Sequence, residues 1–142
     1  AYGIQHRDGG PLLDRPVPSG GGLYPLELTL LVRSVEGLTP GVYHYVPAAG
    51  GVELMRSVDL PSTFVTYLFM GQPWVAEASV ICVISLAGER SLTKYGDRGY
   101  RYALFEAGHV MQSLNLAAAA LGPLPQGLVA ATRPLGRRPV RR

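Results

Sequence analysis

A run of three glycines is the clearest chemical feature of this chain. It lies in residues 18–27 (PSGGGLYPLE), directly before an apolar, β-prone run over residues 28–32. Glycine has no Cβ, tolerates positive φ and lets another group approach the main chain to van der Waals distance. The run is therefore either a tight turn that opens a strand or a surface shaped for a flat ligand. The residue types alone leave both interpretations open.

Several other catalytic patterns are missing from the sequence. The histidines, His6, His44 and His109, are isolated, with no cluster of His, Cys and Asp at metal-ligand spacing. There is no Gly-x-x-x-x-Gly-Lys phosphate loop, no Gly-x-Gly-x-x-Gly entering a helix and no Gly-x-Ser-x-Gly elbow. Nucleotide hydrolysis, Rossmann-type cofactor binding and serine hydrolysis therefore lose support, and we expect no metal site.

Length and composition predict one domain, part of whose surface is covered by other protein. The 142 residues suffice for one ordinary core, and 47% of them are hydrophobic while only 16% are charged. So few charges predict that part of the surface is covered by a partner subunit or by further sequence. The single cysteine, Cys82, lies in an apolar run, which predicts a buried thiol in a reducing, cytoplasmic setting. No segment has the pattern of a membrane span or a signal peptide.

The net charge of +3 comes from the C-terminus. Five of the thirteen basic residues lie in the last ten positions, which leaves eight basic against ten acidic residues in the body of the chain. An irregular basic tail is more often solvated than bound to a phosphate backbone. We therefore expect no nucleic-acid partner.

The first 60 residues predict strands and turns. Residues 1–17 show little periodicity and predict an extended loop. The apolar, β-branched run over residues 26–35 predicts a strand with largely buried faces. After strong turn chemistry at residues 36–41, the segments 42–46 and 52–56 predict a hairpin.

The second half predicts two helices and one deeply buried strand. Apolar residues three and four apart predict a short helix over residues 60–70, with Asp59 as its N-cap. Residues 78–86 form a continuous apolar run of strand length. The longest predicted element is a helix over residues 98–121, and many small residues make it thin. One of its faces carries Tyr100, Leu104, Gly108, Met111, Leu114 and Ala118. The fold class is therefore α+β, with a mostly antiparallel sheet packed on a long central helix.

Three motifs in order resemble a known family. Residues 18–27 resemble the flavin-contacting loop of the nitroreductase superfamily, and they are most similar to the SagB-type dehydrogenases of thiazole/oxazole-modified peptide biosynthesis. Residues 41–45 (GVYHY), and residues 94–102 (KYGDRGYRY) running into 106–116 (EAGHVMQSLNL), resemble the next signatures of that group. We expect a nitroreductase-like domain over residues 1–122, followed by an Arg/Pro-rich irregular tail over 123–142.

The resemblance implies an FMN-dependent oxidoreductase, homodimeric, with flavin at the subunit interface. Related enzymes oxidise thiazolines and oxazolines in a precursor peptide to azoles, which requires a base and hydride transfer to flavin N5. The Lys-Tyr pair implicated in this catalysis corresponds to Lys94 and Tyr95. A neutral Lys94 would need burial beside Arg90 or Arg98, and the Tyr95 phenol would donate or relay a proton. Without the resemblance, the pair reads as a solvated lysine and a core-capping tyrosine.

The resemblance also implies the cofactor contacts. Arg15 is placed near the FMN phosphate or the N1–C2=O edge of the ring, although a surface arginine is equally compatible with its sequence context. Gln112 and Asn115, one turn apart on the long helix, are candidates for hydrogen bonds to flavin or across the dimer. The loop contacts are Pro18, Ser19, Gly20, Gly21 and Leu23.

Two departures from the family pattern keep other functions open. Relatives carry an upstream Arg-Arg-Ser-x-Arg segment that grips the FMN phosphate, and a further Gly-containing flavin loop after the long helix. We therefore expect a fold that is incomplete at both ends. The leading hypothesis is an azoline dehydrogenase with a cyclodehydratase partner. The alternatives are an NAD(P)H-dependent nitro- or quinone reductase and a flavin-less dimeric binding or scaffold module.

Overall fold

The computed structural model describes residues 2–3, 5–6, 13–122 and 131–134. A two-stranded antiparallel hairpin comes first, in the region predicted as an extended loop, formed by β1 (Gln5–His6) and β2 (Leu13–Asp14). The elements that follow are β3 (Leu26–Val32), β4 (Gly41–Val46), β5 (Gly51–Ser57), α1 (Ser62–Leu68), β6 (Val80–Leu86), α2 (Gly88–Tyr95), α3 (Asp97–Ala120) and β7 (Ala131–Pro134). Two 3-10 turns, Gly20–Gly22 and Pro73–Glu77, complete the described secondary structure.

The main sheet has five strands in the order β5-β4-β3-β6-β7. Its first four strands pair antiparallel, and β3 lies between β4 and β6, with Leu26 opposite Leu86 and Val32 opposite Val80. The predicted mostly antiparallel sheet and the hairpin of β4 with β5 are confirmed. Strand β7 pairs parallel to β6. These four residues lie in the stretch predicted to be irregular, so that prediction is wrong for them, and the rest of the stretch beyond Gly122 lies outside the described residues.

The two faces of the sheet are covered by different elements. Because side chains alternate along a strand, Leu28 and Leu31 of β3 point to opposite faces. The core between the sheet and α3 contains Leu26, Leu28, Cys82 and Ile84 from the strands and Ala103, Ala107 and Val110 from the helix. The core on the other side of the sheet contains Ile81 of β6 together with Leu60, Val65 of α1 and Val75 of Pro73–Glu77. The predicted burial of Cys82 is confirmed.

Helix α3 turns its small residues toward the sheet. Its 24 residues extend for about 36 Å. The buried positions are Gly99, Ala103, Glu106, Ala107 and Val110. Small side chains let the helix approach the strands closely, whereas the face that the sequence singled out is partly exposed, with Tyr100 and Leu104 each more than 40% accessible. No described helix is long and apolar enough to cross a membrane.

The helix starts differ from prediction at two places. Pro61, with an extended backbone, is the N-cap of α1 and makes no side-chain capping bond, so the predicted Asp59 cap is wrong. Helix α2 was not predicted at all. It meets α3 at Gly96, and Gly99 packs so tightly on α2 that an added Cβ would lie 2.6 Å from the Ser91 carbonyl oxygen.

Candidate functional site

The three glycines form a tight turn that is closed by its own backbone and by Ser19. The Gly22 N–H donates to the Ser19 carbonyl at 3.1 Å, and the Tyr24 N–H donates to Ser19 Oγ at 2.9 Å. Gly21 and Gly22 have φ values of 67° and 66°, in the left-handed region that favours glycine. Pro18 is exposed and Leu23 is half-buried at the two ends of the turn.

The Lys94–Tyr95 pair lies directly against this turn. A Cβ added to Gly21 would overlap the Tyr95 hydroxyl and lie 2.9 Å from Lys94 Nζ. A Cβ added to Gly20 would lie 3.3 Å from the Tyr102 ring, which stacks edge-to-face on Tyr95 with centroids 5.2 Å apart. The structure therefore brings together the glycine turn and the Lys-Tyr pair, which are far apart in sequence.

Helix α2 is held in place by polar contacts to the start of β3. The Arg90 guanidinium pairs with Glu27 at 2.5 Å and also donates to the Tyr24 carbonyl at 3.0 Å. Three residues before Arg90, the Ala87 N–H donates to the Pro25 carbonyl at 2.7 Å. These bonds fix the beginning of α2 against the segment that follows the glycine turn, and so they fix where its last residues lie.

The two side chains of the pair differ in exposure. Lys94 is exposed and Tyr95 is half-buried. The burial of Lys94 beside Arg90 or Arg98 that the sequence analysis required is not present in the single chain, where Arg90 is instead paired with Glu27. Within the described residues, the site presents an amine and a phenol at the surface, next to a backbone without side chains.

Arg15 is stacked between two aromatic rings. Its Cζ lies 4.4 Å from the centroid of the Tyr2 ring and 4.6 Å from that of Tyr24. The backbone N–H of Arg15 donates to the Tyr24 hydroxyl at 3.0 Å. Its Nη1 is buried and has no hydrogen-bond partner among the described residues. A surface arginine is therefore not what the structure shows, because this side chain is part of a half-buried aromatic cluster below the turn.

Glu106 belongs to the same cluster and was missed by sequence reasoning. It is only 2% exposed, and its Oε1 lies 3.1 Å from the Tyr2 hydroxyl. Burial raises the pKa of this carboxyl, and the neighbouring Ser19, Tyr2 and Arg15 counteract part of the rise. Burial and the nearby Glu106 also raise the pKa of Tyr2. The signal in the sequence is an acidic residue on a stripe of small apolar ones, Ala103, Ala107 and Val110.

Gln112 and Asn115 are not brought into this cluster. Both are exposed on α3, about 9 and 14 Å further along the helix axis than Glu106. Gln112 lines a shallow groove of about 410 Å³ together with Leu104, Phe105, Gly108 and His109. These two residues therefore lie on the uncovered face of α3.

The glycine turn is open to solvent at Gly22. Gly21 and Gly22 are exposed, and no atom lies within 4 Å of the position that a Gly22 Cβ would take. The space at the Gly21 Cβ position is instead occupied by the Lys-Tyr pair. The described residues contain no group of three or more His, Cys, Asp or Glu able to hold a metal ion.

The family model named Nitroreductase family matches residues 7–123. The chain belongs to the nitroreductase family. Members of this family are oxidoreductases that typically use a flavin. The α+β fold expected from the sequence is confirmed, since the crystal structure of a "putative nitroreductase" from Anabaena variabilis superposes with a TM-score of 0.73 at 26% identity, over 83% of this chain and 25% of that one.

The chain is also similar to two curated proteins and to a second solved structure. The chain is 35% identical to "Putative nitroreductase MJ1384" of Methanocaldococcus jannaschii, over 86% of this chain and 59% of that protein. It is 37% identical to the microcin B17-processing protein McbC of Escherichia coli, over 76% of this chain and 41% of that protein. The E. coli microcin synthetase McbBCD complex with truncated pro-MccB17 superposes with a TM-score of 0.62 at 28% identity, over 85% of this chain and 46% of that one. The chain thus spans about half the length of the curated relatives that it matches.

Proposed function

We propose that this family member is an FMN-dependent dehydrogenase of the SagB type, which oxidises azolines in a modified peptide to azoles. The observation that carries the proposal is the contact of Lys94 and Tyr95 with the glycine turn at Gly21. Similarity to a microcin-processing protein supports a peptide as the substrate. The exposed position of Lys94 leaves room for a substrate as large as a peptide to approach it.

Azoline oxidation removes one proton and one hydride from adjacent ring carbons and creates a double bond between them. FMN, when bound, supplies the acceptor for the hydride. We assign Lys94 to take the proton. Since the single chain leaves Lys94 exposed, its neutral form would depend on burial by bound FMN and substrate. Tyr95, held by Tyr102, would donate a hydrogen bond that orients the substrate or the amine.

The residues proposed to hold FMN are those of the turn and its surroundings. The backbone of Gly20 and Gly21, flanked by Pro18 and Leu23, would lie against the ring, and Ser19 would keep the turn closed. Arg15 carries a guanidinium nitrogen, Nη1, that is buried and has no partner among the described residues, and we assign it to the electron-rich edge of the ring. Gln112 and Asn115 would contribute from α3 of a second subunit.

A homodimer accounts for the uncovered face of α3. Large apolar side chains on that helix are exposed in the single chain: Leu104 by 46%, Phe105 by 67% and Leu116 by 61%. Burying such side chains is worth about 1.5–3 kcal/mol each. We propose that a second copy covers this face in the cytoplasm, and that a cyclodehydratase supplies the azoline substrate.

The test is a flavin titration followed by single-turnover oxidation. We expect added FMN to change the visible absorbance of the flavin, and anaerobic addition of an azoline peptide to bleach it. Lys94→Ala should abolish bleaching and keep the dissociation constant for FMN within about threefold, because the amine acts on the substrate. Arg101→Ala is the matched control, since it removes an exposed cation on α3 to which the proposal gives no role. Absence of any flavin spectrum with excess FMN would contradict the proposal.

A second candidate is an NAD(P)H-dependent nitro- or quinone reductase. It is favoured by the similarity to a protein named as a nitroreductase over 86% of this chain. Reduction of nitroaromatics driven by NAD(P)H, with azoline peptides left unchanged, would establish it. A protein that dimerises and binds peptide but never takes up flavin would instead be the scaffold module.

A further inference from the structure

The Tyr2 hydroxyl has one proton and two acceptors. The Leu26 carbonyl and Glu106 Oε1 each lie 3.1 Å from its oxygen, and Tyr2 and Glu106 are both 2% exposed. A phenol donates one hydrogen bond. With an ionised Glu106, the two buried acceptors share this one proton, and the Ser19 hydroxyl is a further donor beside the carboxylate. With a protonated Glu106, the carboxyl donates to Tyr2 and Tyr2 donates to Leu26, so that each of the two 3.1 Å contacts has its own proton.

The surroundings of the second carboxyl oxygen point the same way. Glu106 Oε2 is buried and unpartnered among the described residues, and so is Arg15 Nη1 from the segment before the glycine turn. A charged carboxylate buried beside a free guanidinium N–H would be expected to draw it into an ion pair. The guanidinium instead stacks on the rings of Tyr2 and Tyr24. This arrangement suits a neutral acid.

Ser19 connects the carboxyl to the turn. Its hydroxyl lies beside Glu106, and the same oxygen accepts the Tyr24 N–H that closes the loop. We propose that Glu106 carries a proton at pH values where an exposed glutamate is ionised, and that it positions the glycine turn for flavin through Ser19. The protonation of Glu106 does not depend on the proposed function, whereas the positioning of the turn for flavin rests on it.

The protonation is tested by the pH dependence of unfolding. A proton held in the folded state and released at about pH 4.3 in the unfolded state makes the folded chain lose stability as pH rises toward the folded pKa. Relative to Glu106→Gln, which cannot titrate, the wild-type unfolding equilibrium constant should rise by up to about tenfold per pH unit above pH 4.3 and then level off. A ratio that stays flat, or that falls with pH, would overturn the protonation of Glu106.

The groups that face Glu106 must be controlled. They are Tyr2 and Arg15 from the N-terminal segment, Ser19 from the turn and His109 from α3 itself. Arginine keeps its charge throughout this range, and the raised pKa of Tyr2 keeps the phenol neutral. To remove the influence of His109, the comparison is repeated with His109→Gln in both backgrounds, and the slope should persist.

The positioning role is tested by FMN affinity. Glu106→Gln keeps a donor and an acceptor and should bind FMN within about threefold of wild type, whereas Glu106→Leu should weaken binding at least tenfold. Ser19→Ala should weaken it similarly, and the double variant should be no worse than either single change, because both act through one contact. Additive losses, or full affinity in Glu106→Leu, would refute the positioning role.

The outcomes separate the two proposals. If the wild type takes up no FMN, the proposed function fails, while the unfolding experiment still decides the state of Glu106. If FMN binds and the Gln variant loses as much affinity as the Leu variant, the neutral-acid assignment fails and the flavin site stands. Should Glu106→Leu not fold, Ser19→Ala and Glu106→Gln still give the comparison.

Discussion

Gly21→Ala should damage the chain through two separate effects. The first is backbone strain, because Gly21 has a φ of 67° and an L-residue there costs about 1–2 kcal/mol. The second is overlap of the new Cβ with the Tyr95 hydroxyl and close approach to Lys94 Nζ at 2.9 Å. Overpacking of this kind costs about 1–3 kcal/mol. The free energy of unfolding should therefore fall by about 2–5 kcal/mol in total.

The neighbouring glycine provides a matched control. Gly22 has nearly the same φ, 66°, but no atom lies within 4 Å of its Cβ position. Gly22→Ala should therefore show only the strain of about 1–2 kcal/mol. A second control introduces Gly21→Ala into a Tyr95→Phe background, where the nearest clashing atom is gone. There its cost should fall toward that of Gly22→Ala.

Two measurements follow each variant: urea unfolding by far-ultraviolet circular dichroism, and FMN titration. Because the clash displaces the Lys-Tyr pair, substrate oxidation should fall further in Gly21→Ala than in Gly22→Ala. Equal losses of stability in the two alanine variants, within about 0.5 kcal/mol, would refute the reasoning. So would an undiminished penalty in the Tyr95→Phe background.

Three further predictions rest on other parts of the fold. Burial raises the pKa of Cys82 to about 11 from the usual 9.0, so its thiolate fraction is about 100-fold lower. Thiol labelling at mildly alkaline pH should therefore occur only after the chain unfolds, and rapid labelling of the folded chain would contradict this. Arg33 donates to three backbone carbonyls and the Ser62 hydroxyl, so Arg33→Ala should lower the free energy of unfolding in urea by about 2–4 kcal/mol. Arg33→Lys should recover less than half of that loss, and a loss under about 1 kcal/mol in Arg33→Ala would contradict a stabilising role for these hydrogen bonds. Phe105→Glu should convert the proposed dimer to monomer in sedimentation without unfolding it, while Tyr67→Glu, 81% exposed on α1, should not; a dimeric Phe105→Glu variant would exclude this face.

Local patterns predicted the long helix, the hairpin and the buried strand well. The hairpin of β4 and β5 follows from turn residues between two short runs, and α3 begins and ends within about one residue of prediction. Helix α2 was missed because GERSLTKY contains few apolar residues. Its position depends on contacts with distant residues, such as Gly99 against Ser91 and Arg90 with Glu27.

The burial of α3 shows a second limit of sequence patterns. Large apolar residues were expected to mark its important face, yet the sheet accepts the small ones, because a close approach leaves no room for Leu104 or Tyr100. Glu106 was missed for the same reason, since it lies on the small-residue face. In the site itself, the residues of the turn and the Lys-Tyr pair were named from the sequence, and their contact became visible only in three dimensions.

The pairing of β3 with β6 also determines when the site can form during folding. The two strands lie about 50 to 60 residues apart in the chain, whereas β4 and β5 are joined by a short turn. Closing a loop ten times longer costs about 2 kcal/mol more in chain entropy, so the hairpin can form early and the β3–β6 pairing comes later. The glycine turn precedes β3 and α2 follows β6, so the two halves of the site become neighbours only at that late step. A ligand that contacts both halves of the site stabilises contacts that form late in folding. We therefore expect it to slow unfolding more than it speeds folding.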